Sequence, residues 1–452
     1  MSAKASLTSK LASYWANVRF QDLPGPVIAA AKRALLDTIA AALAGSDTEV
    51  AKFALIGASA GEAAGSAGVW GTSCHLPPSL AALVNGVAAH ALEMDDFSGA
   101  GHIGASVVPT LTAIADGARV SGAEALVAIA AGYDIADRVG EGLGGYRSHN
   151  DRGWHSTGTC GGFGCAAAGA RLLGLDGLRF RHALGIAGTY TGGTWAFLAD
   201  GSMTKRYHAG RAAESGVLAA QFADAGFDGP AEVLEAAWGG VLPTFAGTAA
   251  NPSAVVRDLG KVFKILDDGI KPYACCRGSH GAVEAVLGLI ADEAIPPASI
   301  ERIIFHGPPQ AIRQLGGRNP MTAVDGQFSL PYTLAVAVAH GRVTPDLFRP
   351  LRTDDPLVRT MIDRVHLVDD REVGEKGEAD VEMMVASHTY RRQIKIPLGD
   401  PRRMLSIDQL HAKARGLVTP ILGGEKAEAM VDLVARFEHV PDCRELTSLL
   451  GR

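Results

Sequence analysis

The chain is predicted to be mainly α-helical, a large all-helical domain with a smaller α+β unit, on three observations. Up to about residue 265, apolar residues recur at three- and four-residue spacing in one segment after another. After about residue 265, β-branched alternation bounded by turn residues enters, in "IERIIFHG", "RVHLVDDREV" and "ADVEMMVASHTYRRQIKIPLG". The chain has 452 residues, whereas single cores stop growing near ~250–300 residues. The expected division is 1–265 helical, 266–400 α+β, and 401–452 as C-terminal helices returning to the helical domain.

Each element follows from local signals. "PGPVIAAAKRALLDTIAAALAG" opens on prolines and stops at Gly45, the usual punctuation of a helix. "PSLAALVNGVAAHALEM" and "ASVVPTLTAIADGARV" carry the same periodicity. Ser121 and Glu124 fit a capping box for "EALVAIAAGYDIADRV". Alanine and glycine dominate these helices and permit close approach of their axes. In the α+β unit, "GAVEAVLGLIADE" and "SLPYTLAVAVAHG" interleave with the strands. Helical periodicity returns in "SIDQLHAKARGLV" and "KAEAMVDLVARFEHV".

Composition excludes several classes. The chain is 47% hydrophobic and 20% charged, with 55 glycines and a net charge of -6. A disordered chain has the opposite balance. No dense Lys/Arg block is present, so nucleic acid is not an expected partner. Apolar runs such as "ALVAIAAGY" are too short for the ~18–20 residues of a membrane span. The N-terminus has no apolar signal segment, so a soluble, cytoplasmic protein is expected. Cys74, Cys160, Cys165, Cys275, Cys276 and Cys443 are dispersed without a CxxC. Neither a disulfide framework nor a zinc or iron–sulfur site is expected.

Four stretches can carry chemistry. "HALEMDDFSGAGHIGASVVP" places Glu93, Asp95 and Asp96 at the end of one apolar helix and His102 just before the next. A helix N-terminus favours anions, and a histidine there can exchange protons near neutral pH. A solvated acidic helix end explains the stretch equally well. "RGWHSTGTCGGFG" sets His155 before a run of small residues that open a helix; a glycine turn needed only for packing is the plain alternative. "DGSMTKRYHAGRAAESG" clusters Lys205, Arg206, His208 and Arg211 at a helix start. A solvated basic face is usual for such a run, but the helix that follows is apolar, and a lysine buried beside it needs a partner. "DDGIKPYACCRGSHGAVEA" holds Lys271, Cys276, Arg277 and His280. Free cysteine is more often a small hydrophobe than a nucleophile, and His280 can equally be a core residue. Together the acids, histidines and lysines suit proton transfer next to a carboxylate: cations hold the carboxylates, and a base and an acid move the proton.

These stretches, with "AAKRALLDTIAAALAG", "GQFSLPYTLAVAVAHGRV" and "LHAKARGLVTP", occur in an order that resembles the MmgE/PrpD family over nearly the whole chain. The resemblance implies an all-helical domain, an α+β lid domain, an active site between them, and a homodimer. It implies cofactor-independent chemistry on small di- or tricarboxylates: 2-methylcitrate dehydration, cis-aconitate decarboxylation or iminodisuccinate epimerisation. By position, Glu93 matches an active-site acid that is usually aspartate, with Asp96 beside it. His102 matches the favoured proton-transfer histidine, and His155 that of the "GWH" block. Lys205 and Lys271 match two carboxylate-binding lysines. His280 matches the histidine that begins the lid helix, and Tyr332 the tyrosine of the "FSLPY" block. Arg277 and Cys276 complete the expected substrate contacts.

Three positions depart from the family pattern. Phe97 stands where threonine is usual, Ile103 where proline often follows the catalytic histidine, and Cys276 where the decarboxylase branch has histidine. The expectation is therefore a 2-methylcitrate dehydratase-like lyase slightly ahead of an epimerase, with a cis-aconitate decarboxylase-like enzyme a further alternative. A protein that binds polycarboxylates without turnover is the rival from another class. No metal is expected, because the cysteines lack cluster spacing.

Overall fold

The computed structural model describes residues 6–61, 64–370, 372 and 378–451. The first helices are α1 (Leu7–Asn17), α2 (Gly25–Gly45) and α3 (Glu49–Ala58). A two-stranded ribbon, β1 (Ala67–Gly68) with β2 (His75–Leu76), precedes α4 (Pro78–Ala89) and α5 (Gly104–Ala115). Then come α6 (Gly122–Gly142), α7 (Gly145–Asp151), α8 (Ser156–Leu172), α9 (Gly177–Ala187) and α10 (Thr204–Asp224). Two short helices, α11 (Val241–Ala246) and α12 (Pro252–Val255), lead out of this part.

Punctuation decides most boundaries. Pro24 stands at the N-cap position of α2 with Pro26 in its first turn, and the Ser121–Glu124 capping box starts α6. The apolar run expected to reach Met94 stops as α4 at Ala89. Glu93 has φ +53, a left-handed conformation that costs a side-chain-bearing residue of order 1 kcal/mol and cannot continue a helix.

Small residues set how the helices meet. A Cβ on Gly210 of α10 would lie 2.4 Å from the Leu83 carbonyl oxygen of α4, and one on Gly86 of α4 would lie 2.8 Å from the Gly210 Cα. The two helices therefore touch backbone to backbone. Each glycine costs ~1 kcal/mol of helix propensity against alanine; the close contact returns dispersion energy along the whole seam.

The second part begins with α13 (His280–Asp292). Its four-stranded sheet comprises β3 (Ile300–Gly307), β4 (Val365–Asp369), β5 (Ala379–Val385) and β6 (His388–Ile394), in the spatial order β4-β3-β5-β6. The β3–β4 pair is parallel, so its connection crosses over through α14 (Pro309–Leu315), α15 (Ala323–Gln327), α16 (Leu330–His340) and α17 (Pro356–Arg364). The pairs β3–β5 and β5–β6 are antiparallel. The chain then forms α18 (Ile407–Leu422), α19 (Gly424–Ala435) and the short α20 (Arg444–Thr447).

Two main apolar cores result. The larger joins Trp15, Leu35, Val107 and Phe163 with Leu410, Val418 and Met430, so α18 and α19 pack into the helical core, α18 directly along α2. The other holds Val283, Ile303, Phe305, Tyr332 and Phe348 of the α+β part, together with Leu92 and Met94 from the turn after α4. That turn is thus anchored in the second core, while α5 packs mainly in the first and α4 mainly in a small third core around Leu76, Val84 and Val87. Among the described residues, no helix is long and apolar enough to cross a membrane.

Candidate active site

The turn between α4 and α5 is held from three sides. Phe97 and Gly269 exchange backbone hydrogen bonds, which zips the turn to the segment carrying Lys271 and Cys276. The His102 amide donates to Thr157 Oγ1 of α8 at 3.1 Å. Lys413 of α18 donates to the Met94 carbonyl at 2.6 Å.

Glu93 is the hub. Its carboxylate is 1% exposed and accepts hydrogen bonds from Lys205 and, at 2.9 Å, from Lys271. The Arg206 guanidinium lies 3.7 Å away. Burial alone would raise the Glu93 carboxyl; the two lysines instead hold it well below the usual carboxylate range. Asp95 behaves likewise: burial opposes ionisation, but His90 at 2.6 Å and Lys271 at 3.5 Å hold it charged. Removing two charges from water is affordable only with this full set of partners. Lys205 is pushed down to about 8, first by burial, with Glu93 pulling the other way. Lys271, which faces both carboxylates, is raised despite its burial.

His102 is set as a base. Its Nδ1 lies 2.7 Å from the Asp96 carbonyl oxygen. A carbonyl can only accept, so the network assigns the proton to Nδ1, and Nε2 has no partner among the described residues. Burial first, then Lys271, lowers the ring's pKa; Asp95 at 3.3 Å only partly opposes this. Desolvation therefore dominates the proton balance at His102.

Asp96 sits behind the turn. Its Oδ2 accepts from Tyr133 and from the Gly104 amide. Burial, with the charges of Asp95 and Asp37, pushes it up to about 7, and Asp268 is raised well above the usual range, first by burial and then by Asp96. The pair keeps a proton.

The cavity in front of these groups measures about 440 Å³. Glu93, Phe97, His102, Lys205, Cys276 and Arg277 form its inner wall, and Arg147 and Arg402 reach it from the rim. Arg277 pairs with Asp400 at 3.0 Å and lies 4.7 Å over the Phe97 ring. Its Nε and Nη1 are buried with no partner among the described residues. Four cations, Lys205, Arg147, Arg277 and Arg402, meet two carboxylates, Glu93 and Asp400, on this wall.

The expected site residues divide into three groups. Glu93, His102, Lys205, Cys276 and Arg277 line the cavity. Lys271, Asp96 and His155 stand behind it. His155 is N-terminal to α8 and buried among Trp195, Phe197 and His208, with its Nδ1 3.0 Å from His208 Nδ1. Burial, then Lys205 and His208, keeps it neutral.

Besides Lys271, two further residues expected to touch substrate do not reach the cavity wall. His280 is buried with its Nε2 3.2 Å from the Cys275 carbonyl and its ring against Tyr273. Tyr332 lies inside the second core, where its hydroxyl donates to the Leu347 carbonyl at 2.5 Å and accepts from the Arg352 amide at 2.8 Å.

The sequence reading did not single out His90, Arg147, Asp400, Arg402 or Lys413. Only His90 had a signal, since it opens the acidic motif. The others come from distant segments with no local pattern.

His90, Asp95 and His102 bring one potential ligand atom each within 4.8 Å of one another. Both imidazole Nδ1 atoms converge on one Asp95 oxygen, and the Lys205 ammonium lies 2.8 Å from His90. The donor set fits a hydrogen-bond network better than a cation.

Fold and site define a mainly helical protein with two main cores, whose cavity is lined by a histidine and by more cations than carboxylates. The chain belongs to the MmgE/PrpD family. Its residues 9–252 match the MmgE/PrpD N-terminal domain and 273–439 the MmgE/PrpD C-terminal domain. It is 30% identical to a cis-aconitate decarboxylase-like protein of Aspergillus oryzae, over 99% of this chain and 98% of that protein. It is 28% identical to the human cis-aconitate decarboxylase, over 98% and 94% of the two chains. The cis-aconitate decarboxylase of Aspergillus terreus is also 28% identical, over 99% and 96%.

Proposed function

We propose that this MmgE/PrpD enzyme is a lyase that decarboxylates a small unsaturated tricarboxylate of the cis-aconitate kind. The carrying observation is the cavity itself, which His102, Lys205 and Arg277 line together. The similarity to proteins named as cis-aconitate decarboxylases moves decarboxylation ahead of dehydration, despite Cys276 and Phe97.

In this reading Lys205, Arg277 and a rim arginine hold the substrate carboxylates. Bound carboxylates raise the pKa of His102, which takes up a proton at Nε2. The C–C bond to the departing carboxylate breaks and CO₂ leaves. The electron pair passes into the allylic system, and carbon takes the Nε2 proton. His102 returns to its neutral form. The Nδ1–H bond to the Asp96 carbonyl keeps the ring oriented throughout.

Dehydration of a 2-methylcitrate-like substrate is the second reading, and the neutral state of His102 favours it. There Nε2 removes the proton next to a carboxylate, and Lys205, poised near pH 8, protonates the leaving hydroxyl.

Incubation in deuterated water with cis-aconitate, 2-methylcitrate and iminodisuccinate, followed by mass spectrometry, separates the reactions. Loss of CO₂ with one deuterium gained at carbon is expected from cis-aconitate. Loss of water from 2-methylcitrate alone selects the second reading; deuterium uptake without mass loss selects epimerisation. Binding without any turnover leaves only the non-catalytic rival.

The enzyme is further proposed to act as a homodimer in the cytoplasm. Six free cysteines support a reducing compartment, and sedimentation of the purified chain tests the oligomer.

A further inference from the structure

His90 is fully buried where α4 ends, and its ring bridges two charged groups. Nδ1 lies 2.6 Å from Asp95 Oδ2, and Nε2 lies 2.8 Å from the Lys205 Nζ. Asp95 is held ionised, so it can only accept. The neutral imidazole carries one ring proton, and it must therefore be on Nδ1. Nε2 then presents its lone pair to the ammonium. Burial, against the pull of Asp95, pushes the ring down to about 3, which keeps it neutral.

The Lys205 ammonium has three donors. One goes to His90 Nε2 and one to Glu93 Oε1. The third has no partner among the described residues, and Lys205 lines the cavity with its Nζ 5.3 Å from the Phe328 ring centre. The ring face attracts the charge from this distance but accepts no hydrogen bond. Two fixed acceptors hold the Nζ of the flexible lysine stem in one place and so set where its third N–H points; with Glu93 as sole acceptor the ammonium can swing about that one contact.

We infer that His90 is a positioning residue: the Asp95–His90 pair fixes the Lys205 ammonium so that its third N–H points at the carboxylate of a bound substrate. His90 itself touches no substrate. The inference rests on the reading of the cavity as a polycarboxylate site. It goes beyond that reading by placing the control of Lys205 in a buried tautomer.

Two variants divide the ring's duties. In His90→Asn the amide nitrogen takes the place of Nδ1 and can still donate to Asp95, but nothing reaches Lys205. In His90→Gln the amide oxygen takes the place of Nε2 and can accept from Lys205. The probe is tricarballylate, a saturated tricarboxylate with no leaving group, titrated by calorimetry. His90→Asn should bind it roughly ten- to a hundredfold more weakly than the parent, and His90→Gln within about threefold of the parent.

Equal binding by both variants, whether parent-like or weakened, overturns the inference. Nitrogen NMR of histidine-labelled parent should show His90 protonated at Nδ1, with its Nε2 resonance displaced in Lys205→Met. The opposite tautomer, or an unmoved resonance, also overturns it, even if neither His90 variant folds. A parent that binds tricarballylate but turns over no substrate refutes the lyase reading and leaves this inference standing; a parent that does not bind it refutes both.

Discussion

Phe97 and Gly269 exchange both of their backbone hydrogen bonds, each 2.8 Å long. The pair joins the turn bearing Glu93 and His102 to the segment bearing Lys271 and Cys276. Neither half of the site can move without the other while this bridge holds. A Cβ on Gly269 would lie 2.3 Å from the Phe97 ring and 2.6 Å from the Gly399 carbonyl oxygen. Gly269→Ala should therefore lose about 1–3 kcal/mol of stability through forced displacement and lower kcat/KM together with it. Denaturant unfolding and steady-state kinetics check both; unchanged values would show that the bridge yields freely.

His102→Asn keeps a side chain that can bond the Asp96 carbonyl but loses the proton carrier. Turnover should fall by roughly 10²–10⁴ while apparent affinity changes little. A variant with native unfolding behaviour and full turnover would reduce His102 to a turn residue.

Lys205 and Lys271 are expected to differ, although the sequence suggested one shared role. Lys205 lines the cavity, so Lys205→Met should raise KM about ten- to a hundredfold, for a lost charge-assisted contact of roughly 1.5–3 kcal/mol. Lys271 lies behind Glu93 and Asp95 with no exposed surface. Lys271→Met leaves buried carboxylates undercompensated and should cost about 3–5 kcal/mol of stability. Thermal unfolding of both variants, compared with their Michaelis constants, decides; equal effects on KM would place both lysines on substrate.

Asp137 supports the turn from below, accepting from Ser98 Oγ at 2.7 Å and the Ala100 amide at 2.5 Å. Burial pushes its carboxyl up to about 7, against these hydrogen bonds. An unfolded aspartate titrates near ~3.9. Between these values the folded chain keeps a proton that the unfolded chain loses. The group's contribution to stability is thus complete below about pH 4 and is lost as pH rises through about 7. Asn cannot ionise, so Asp137→Asn should match the parent at pH 4 and exceed it at pH 8 by roughly 2–4 kcal/mol. Parallel stability curves for the two proteins would contradict this.

The helices were legible because their signals are local: Pro24 before α2, Ser121 and Glu124 before α6, Gly45 at a helix end. The acids, the lysines and His102 were legible because they cluster in short stretches. What stayed hidden depends on contacts across the chain. After α4 ends at Ala89, the left-handed Glu93 is held between two lysines that are distant in sequence. Tyr332 stands in a motif near the cavity segment, yet Leu347 and Arg352 claim its hydroxyl. The protonation of His102 follows from burial, which no spacing records.

The seam of Gly86 and Gly210 lies four residues before His90 and five after Lys205. Where backbones meet without intervening side chains, there are no rotamers to absorb an error. The relative height of the two helices is therefore passed directly to the amine at one helix start and the imidazole at the other's end. An alanine introduced at either glycine, remote from any ligand, would act as a shim under the reaction centre. The tolerance of the chemistry is set by the absence of two methyl groups.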